Sequence, residues 1–194
     1  VRRNKEKIRD YYAADDVWEA VYAKAVLELQ HAMDLAYLIG QRPADVLKVE
    51  TSDITADYLL IAQGKTTKKL RVKLHNEQKL TSLGLFINNL MEFRKQAGIQ
   101  SKRLITNVQG LRMSQGMLRN RWDEARKSAA EEAETMGDIA FAERIRKFQF
   151  RDIRPKAATE IEDLSVASKL LGHTNEAITK QVYRRLGEVV DPAK

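Results

Sequence analysis

Cysteine is absent from the 194 residues, so disulfide staples and thiolate metal sites are both excluded. Histidine is nearly as scarce. His31, His75 and His173 lie far apart, with no HExxH pattern and no Asp/His cluster, which argues against a metal hydrolase and leaves no metal expected. No apolar run approaches the roughly 20 residues of a membrane span. The opening Val1-Arg2-Arg3-Asn4-Lys5 has no signal-peptide character. A cytoplasmic protein with no membrane partner is therefore expected. A phosphate-binding P-loop is missing too. Gly64-Lys65-Thr66 lacks the upstream glycine of that motif, and its lysine precedes a strand rather than a helix. No cofactor is expected. There is no internal repeat and no low-complexity tract, and a start at Val1 rather than Met reads as a fragment or a processed chain.

What the chain does have is positive charge. A formal net charge of +7 points to a polyanionic partner, and 43% hydrophobic residues over this length suffice for one sizeable core. Residues 1–15 are polar and basic and read as a linker or an N-terminal entry segment. Asp16 to Leu38 has helical spacing, with Val17, Val21, Ala25, Leu29 and Ala32 on its apolar side, and Gly40 ends it. Pro43 suits the first turn of a short helix. Tyr58–Ala62 reads as a strand, and Lys69 to Leu74 alternates as a second, with the basic loop 63–68 as the hairpin between them. A long helix from about Gln78 to Gln96 is expected to bury Leu83, Phe86, Ile87, Leu90 and Phe93. Ser114 caps a helix with Leu118, Trp122, Ala125 and Ala129 in one stripe. Ala129 to Phe150 reads as helix, loop and a final strand or coil. The fold class is α+β, mainly α-helical with a small antiparallel hairpin.

The chemistry-bearing residues stand at the junctions. Arg42 sits in the turn before Pro43, and Lys65 at the hairpin tip. Arg151 and Arg154 flank a helix start, where backbone N–H groups add to their charge as a phosphate site. Leu170-Leu171-Gly172-His173 ends one helix, with Gly172 at the left-handed position and Asp163 or Ser165 capping its start. Thr174 is the expected cap of the next helix, on which Ile178, Val182 and Leu186 form a buried stripe and Tyr183 lies at its edge. Each of these, taken singly, has a structural alternative: a solvated arginine or lysine, or a rim tyrosine packed on its ring.

Taken in order, they do not stand singly. Gly40-Gln41-Arg42-Pro43-Ala44-Asp45-Val46-Leu47, Gly64-Lys65-Thr66, Arg151-Asp152-Ile153-Arg154, Leu170-Leu171-Gly172-His173 and Tyr183 follow one another as in the catalytic domain of a tyrosine recombinase of the phage and prophage integrase type, which the chain resembles over roughly residues 16–186. Residues 187–194 would be a C-terminal tail. The resemblance implies that Tyr183 attacks a DNA phosphodiester, giving a 3′-phosphotyrosine link and a free 5′-hydroxyl, with no metal or ATP because the bond energy is kept in the covalent intermediate. By the same resemblance Arg42 and Arg154 stabilise the non-bridging oxygens, Lys65 protonates the leaving 5′-oxygen, His173 hydrogen-bonds a non-bridging oxygen or assists proton transfer, and Asp45 supports them. The implied partners are double-stranded DNA bearing an attachment or recombination site, further copies in a tetramer on that DNA, and accessory DNA-bending proteins.

Two departures stand out. Arg151 occupies a slot where the family usually has histidine. An arginine stays protonated and cannot act as a base, so it is left as a third phosphate cation. Tyr183 lies one residue farther from His173 than is usual. The rival readings are a type IB topoisomerase, with the same nucleophile and charges, and a noncatalytic helical DNA-binding protein.

Overall fold

The structure, a computed structural model, describes residues 9–173 and 175–180. Within them lie helices α1 (Asp15–Lys24), α2 (Leu27–Ile39), α3 (Pro43–Val46), α4 (Ser82–Gln96), α5 (Gln115–Thr135), α6 (Ile139–Lys147), α7 (Ile153–Glu160), α8 (Leu164–Leu171) and α9 (Glu176–Ile178). Strands β1 (Tyr58–Ala62) and β2 (Lys69–Lys73) pair antiparallel with Leu60 opposite Arg71, and the two-residue strands β3 (His75–Asn76) and β4 (Lys79–Leu80) pair likewise. The expected α+β class, mainly helical with small antiparallel sheets, is the one observed.

The expected single helix over residues 16–38 is two helices, broken where Ala25 and Val26 are extended. Its apolar residues explain the break. Four residues turn about 400°, so a stripe at spacing four walks about 40° per step around a straight helix. By Leu29 it would have left the core face. The kink resets it, and Val17, Val21, Ala25, Leu29 and Ala32 are all buried. Gln30 caps the break by donating from Nε2 to Tyr22 O at 3.0 Å.

α4 begins at Ser82, later than expected, because Lys79-Leu80 pairs as β4 and Thr81 caps the helix by accepting from Gly84 N at 3.1 Å. Its buried stripe runs Leu83, Ile87, Leu90 and Arg94. Phe93, expected in the core, is 37% exposed, and Phe86 is only partly buried. Both rings instead flank His31 edge-on, with the Phe93 centroid 5.2 Å away and the Phe86 centroid 6.5 Å away. The inward place of the last turn goes to Arg94, whose guanidinium donates to Arg103 O and Leu104 O at 2.9 and 3.0 Å and so ties down the loop after α4.

Ser114 and Asp163 cap α5 and α8 as the sequence suggests. α5 and α6 form a helical hairpin turning at Gly137, and no strand follows it before α7. Phe148 is fully buried below the hairpin, edge-on to Trp122 with centroids 4.8 Å apart.

The helix that carries Arg154 is clamped at both ends by residues 9–15. Arg9 forks onto the buried Asp152 carboxylate at 2.8 and 2.7 Å. Tyr12 donates to Glu160 at 2.6 Å, and Lys156, 3% exposed, is held between Asp15 and Glu160.

Candidate functional site

Two helix ends meet at the site. α2 stops at Gly40 and α8 at Gly172, both with left-handed backbone (φ 61° and 71°) that glycine adopts without strain. At Gly172 the space is closed as well: a Cβ there would lie 2.7 Å from the Gln63 amide nitrogen. A helix C-terminus leaves carbonyls without intrahelical partners and carries the negative end of the dipole. The junction gathers groups that answer both needs.

Arg154 is the chief of them. It is 3% exposed, and its Nη1 donates to Gly40 O at 2.6 Å while Nη2 donates to Leu171 O at 2.8 Å. A buried guanidinium is thus stabilised by the carbonyl ends of two helices. Gln41 Nε2 donates to Ile39 O and Leu170 O, both at 2.8 Å. Gln63 Nε2 donates to Gln41 Oε1 at 2.7 Å and to Leu171 O at 2.8 Å. The last turn of α8 is closed by Gly172 N and His173 N donating to Lys169 O and Ser168 O. The sequence reading places Arg151 and Arg154 together at a helix start. The structure separates them, because a 3-10 turn (Phe150–Asp152) precedes α7 and the helix turns Arg154 inward. Arg151 is exposed and opens onto a cleft of about 490 Å³ beside Pro43, with Arg119, Trp122 and Arg126 in its wall.

His173 lies against Arg154, with Nε2 and Nη2 3.3 Å apart, and its Nδ1 is 2.7 Å from Thr179 Oγ1. A guanidinium only donates, so Nε2 accepts and the proton sits on Nδ1, directed to the Thr179 hydroxyl. Burial, then the charges of Arg154, Arg42 and Lys68, lower the His173 pKa to about 4. The imidazole is therefore neutral at pH 7. The sign of the linkage follows. The unfolded chain takes up this proton near 6.5 and the fold only near 4, so the contribution to stability is complete above 6.5 and is lost as pH falls from 6.5 towards 4. Histidine-selective NMR of the protein should show His173 as the Nδ1–H tautomer with no titration between pH 6 and 8. A midpoint near 6.5 would contradict the arrangement.

Arg42 is the N-cap residue of α3. Its side chain is 27% exposed, with Nη1 buried 3.9 Å from Asp45 Oδ2 and in no hydrogen bond among the described residues. Asp45 is buried and accepts from Gly64 N at 2.9 Å through Oδ1, so it joins the Arg42 turn to the hairpin loop. Lys65 is exposed in that loop. Lys68, at the loop's other end, brings Nζ to 3.4 Å from His173 O. The structure thus joins Arg42, Asp45, Arg154, His173 and the loop bearing Lys65 in one continuous set of contacts. Tyr183, Val182, Leu186 and Thr174 lie outside the described residues. The cap of α9 is Asn175, which accepts from Ala177 N at 2.8 Å. Ile178, expected in a buried stripe, is 43% exposed, and the buried residue of that turn is Thr179, engaged by His173.

Gln41, Gln63, Lys68 and Thr179 were not singled out from the sequence. The one sequence signal for the two glutamines is an amide at the end of an otherwise apolar stretch, Gln41 after Ile39-Gly40 and Gln63 after Leu59–Ala62. Among the described residues no group of His, Asp and Glu is arranged to hold a metal ion, and no helix is long and apolar enough to cross a membrane.

The fold, a helical domain with a lysine-bearing hairpin, is that of a tyrosine recombinase catalytic domain. The chain belongs to the phage integrase family, whose model matches residues 5–188. It is 26% identical over 188 residues to the integrase of Escherichia phage lambda, an alignment covering 94% of this chain and 49% of that protein. The chain spans about half the length of the curated relatives it matches. Its fold superposes on a lambda integrase tetramer bound to a Holliday junction with a TM-score of 0.73 at 20% identity, covering all of this chain and 54% of that one. On the lambda integrase catalytic core the TM-score is 0.63 at 23% identity, covering 85% of this chain and 96% of that one.

Proposed function

We propose that this chain breaks and rejoins double-stranded DNA at a recombination site through a tyrosine-linked intermediate, as the catalytic domain of an integrase. The observation that carries the reading is the convergence of Arg42, Arg154 and a neutral His173 with a lysine-bearing loop, all secured at two helix ends. Such a set suits a phosphodiester better than a general anion site. In this reading the two guanidiniums serve the non-bridging oxygens and the lysine serves the leaving group.

In the proposed step the Tyr183 oxygen attacks phosphorus. A P–O bond to tyrosine forms as the bond to the 5′-oxygen breaks. The phenol proton leaves to a base or to water, and the 5′-oxygen takes a proton from the Lys65 ammonium. Arg42 and Arg154 stabilise charge building on the non-bridging oxygens. Arg154 is held by its carbonyls before DNA arrives, so little reorganisation is needed at the moment of reaction. His173, which donates from Nδ1 to Thr179 and accepts from Arg154 through Nε2, takes a proton or a protonated phosphate oxygen at Nε2 once the Arg154 donor turns to the DNA. Arg151, with Arg119 and Arg126 around the neighbouring cleft, supplies cations to the flanking backbone. Rejoining reverses the step with a 5′-hydroxyl from another strand, and the lambda integrase tetramer on a Holliday junction supports a tetramer on DNA as the working assembly.

Binding to duplex DNA tests the substrate. Phosphate neutralisation releases counterions, so the log–log plot of affinity against salt should fall with a slope of about −0.9 per phosphate contacted. A salt-independent affinity would remove DNA as the substrate. Relaxation of supercoils without strand exchange between two duplexes would favour a topoisomerase instead.

A further inference from the structure

The loop that carries Lys65 is short, and one buried amide ties it to the surroundings of Arg154. Gln63 is the residue where β1 enters the loop, and its backbone N donates to Lys68 O at 2.9 Å, which closes the loop over residues 64–67. That bond fixes the loop's shape but not its placement on the body. Three ties place it: Gly64 N on Asp45, Lys68 Nζ near His173 O, and the Gln63 side chain, which is 2% exposed and alone of the three reaches the acceptors of Arg154. Its Nε2 uses both protons on the far side of the site, on Gln41 Oε1 and Leu171 O, the same two oxygens that receive Arg154 at 3.4 and 2.8 Å. Its Oε1 accepts from the Thr66 hydroxyl, next to Lys65. One planar amide therefore joins the residue beside Lys65 to two of the acceptors of Arg154. Gly172, whose Cβ would collide with this amide, leaves the room for it.

We propose that Gln63 is a positioning residue that sets Lys65 relative to Arg154, with Thr66 as the link to the loop. The proposal rests on the DNA-cleavage reading above. It predicts that loss of the amide harms the leaving-group side of the reaction and spares the non-bridging oxygens. Displacement of a catalytic group by about 1 Å can lower a rate about 10²-fold.

Two variants separate this from a packing role. Gln63→Met keeps the volume and removes the hydrogen bonds. Thr66→Val cuts only the link to the loop and leaves the buried Gln63–Gln41–Leu171 contacts in place, so folding is not at issue. Each is assayed with the full chain in single-turnover cleavage of a nicked duplex of the sequence the wild type cleaves best. The duplex is made once with the natural 5′-oxygen and once with a 5′-bridging sulfur, which departs as a thiolate and needs no proton. Lys65→Ala and Arg42→Ala serve as references. Both loop variants should slow cleavage of the oxygen duplex by about 10–10²-fold and return to within a few-fold of wild type on the sulfur duplex, as Lys65→Ala does and Arg42→Ala does not. Amide exchange at Gly64–Lys68 should rise about tenfold or more in both variants while that of α5 stays unchanged.

Equal loss on the two duplexes, unchanged loop exchange, or failure of sulfur to rescue Lys65→Ala would overturn the role given to Gln63. Wild type that forms no adduct on either duplex would instead overturn the cleavage reading itself, and the role of Gln63 with it.

Discussion

Tyr183→Phe is expected to bind duplex DNA with the affinity and salt dependence of the wild type and to form no covalent adduct. Phenylalanine keeps the ring and removes only the oxygen that becomes bonded to phosphorus, and no other tyrosine follows Tyr58 in the chain. A phenol with a reference pKa of about 10 is neutral at pH 7 and must lose its proton as it attacks. The effect on cleavage should be complete, while a denaturant melt and a filter-binding curve should move little. Adduct formation by this variant at any measurable rate would remove Tyr183 as the nucleophile.

Arg154→Ala should act on two quantities at once, and the structure says why. In the proposed step the guanidinium stabilises the non-bridging oxygens, and removal of such a donor raises a barrier by about 2.7–4 kcal/mol. It is also the partner of Gly40 O and Leu171 O in a buried junction. Leu171 O keeps the Gln63 amide after the substitution, whereas Gly40 O loses its side-chain donor, and leaving one buried acceptor unmet costs about 1–3 kcal/mol. The variant should therefore be slower in single-turnover cleavage by about 10²–10³-fold and less stable in urea, with much smaller loss in DNA affinity. Arg154→Lys separates the two. It keeps the charge but cannot fork to both carbonyls, so cleavage should recover only in part. Losses of equal size in binding and cleavage would mean that Arg154 only holds the DNA backbone.

The parts of this molecule that were legible in the sequence are those governed by local chemistry. Gly40 and Gly172 mark helix ends because a left-handed residue is needed there. Pro43, Ser114 and Asp163 mark helix starts, and the alternation of Lys69 to Leu74 marks a strand. The order of Arg42, Lys65, Arg154 and His173 was legible for a different reason, since it matches a family pattern. What stayed hidden depends on partners far apart in the chain. Gln63 meets Leu171 and Gln41 across 108 and 22 residues, and nothing in their neighbourhoods announces it. The kink at Ala25 follows from where the core lies, not from a breaker residue. Phe93 and Ile178 carry the right periodicity and still face outward, because Arg94 is drawn inward by the carbonyls of the next loop and Thr179 by the His173 ring. The sequence marks Arg154 as a candidate phosphate cation at a helix start. Its second task, neutralising two helix C-termini, could not be read until α2 and α8 were seen to meet.

In the proposed function this site makes a covalent bond between Tyr183 and DNA. The most direct measurement is incubation of the wild-type chain with a nicked recombination-site duplex whose short 5′-hydroxyl strand diffuses away after cleavage, followed by protease digestion and mass spectrometry of the DNA-linked peptide. The account predicts an adduct that forms without metal or ATP, resists boiling in detergent, and carries a 3′-phosphate on Tyr183 with a free 5′-hydroxyl on the released strand. An adduct through the 5′-phosphate, an adduct on another residue, or DNA bound tightly with none at all would contradict it.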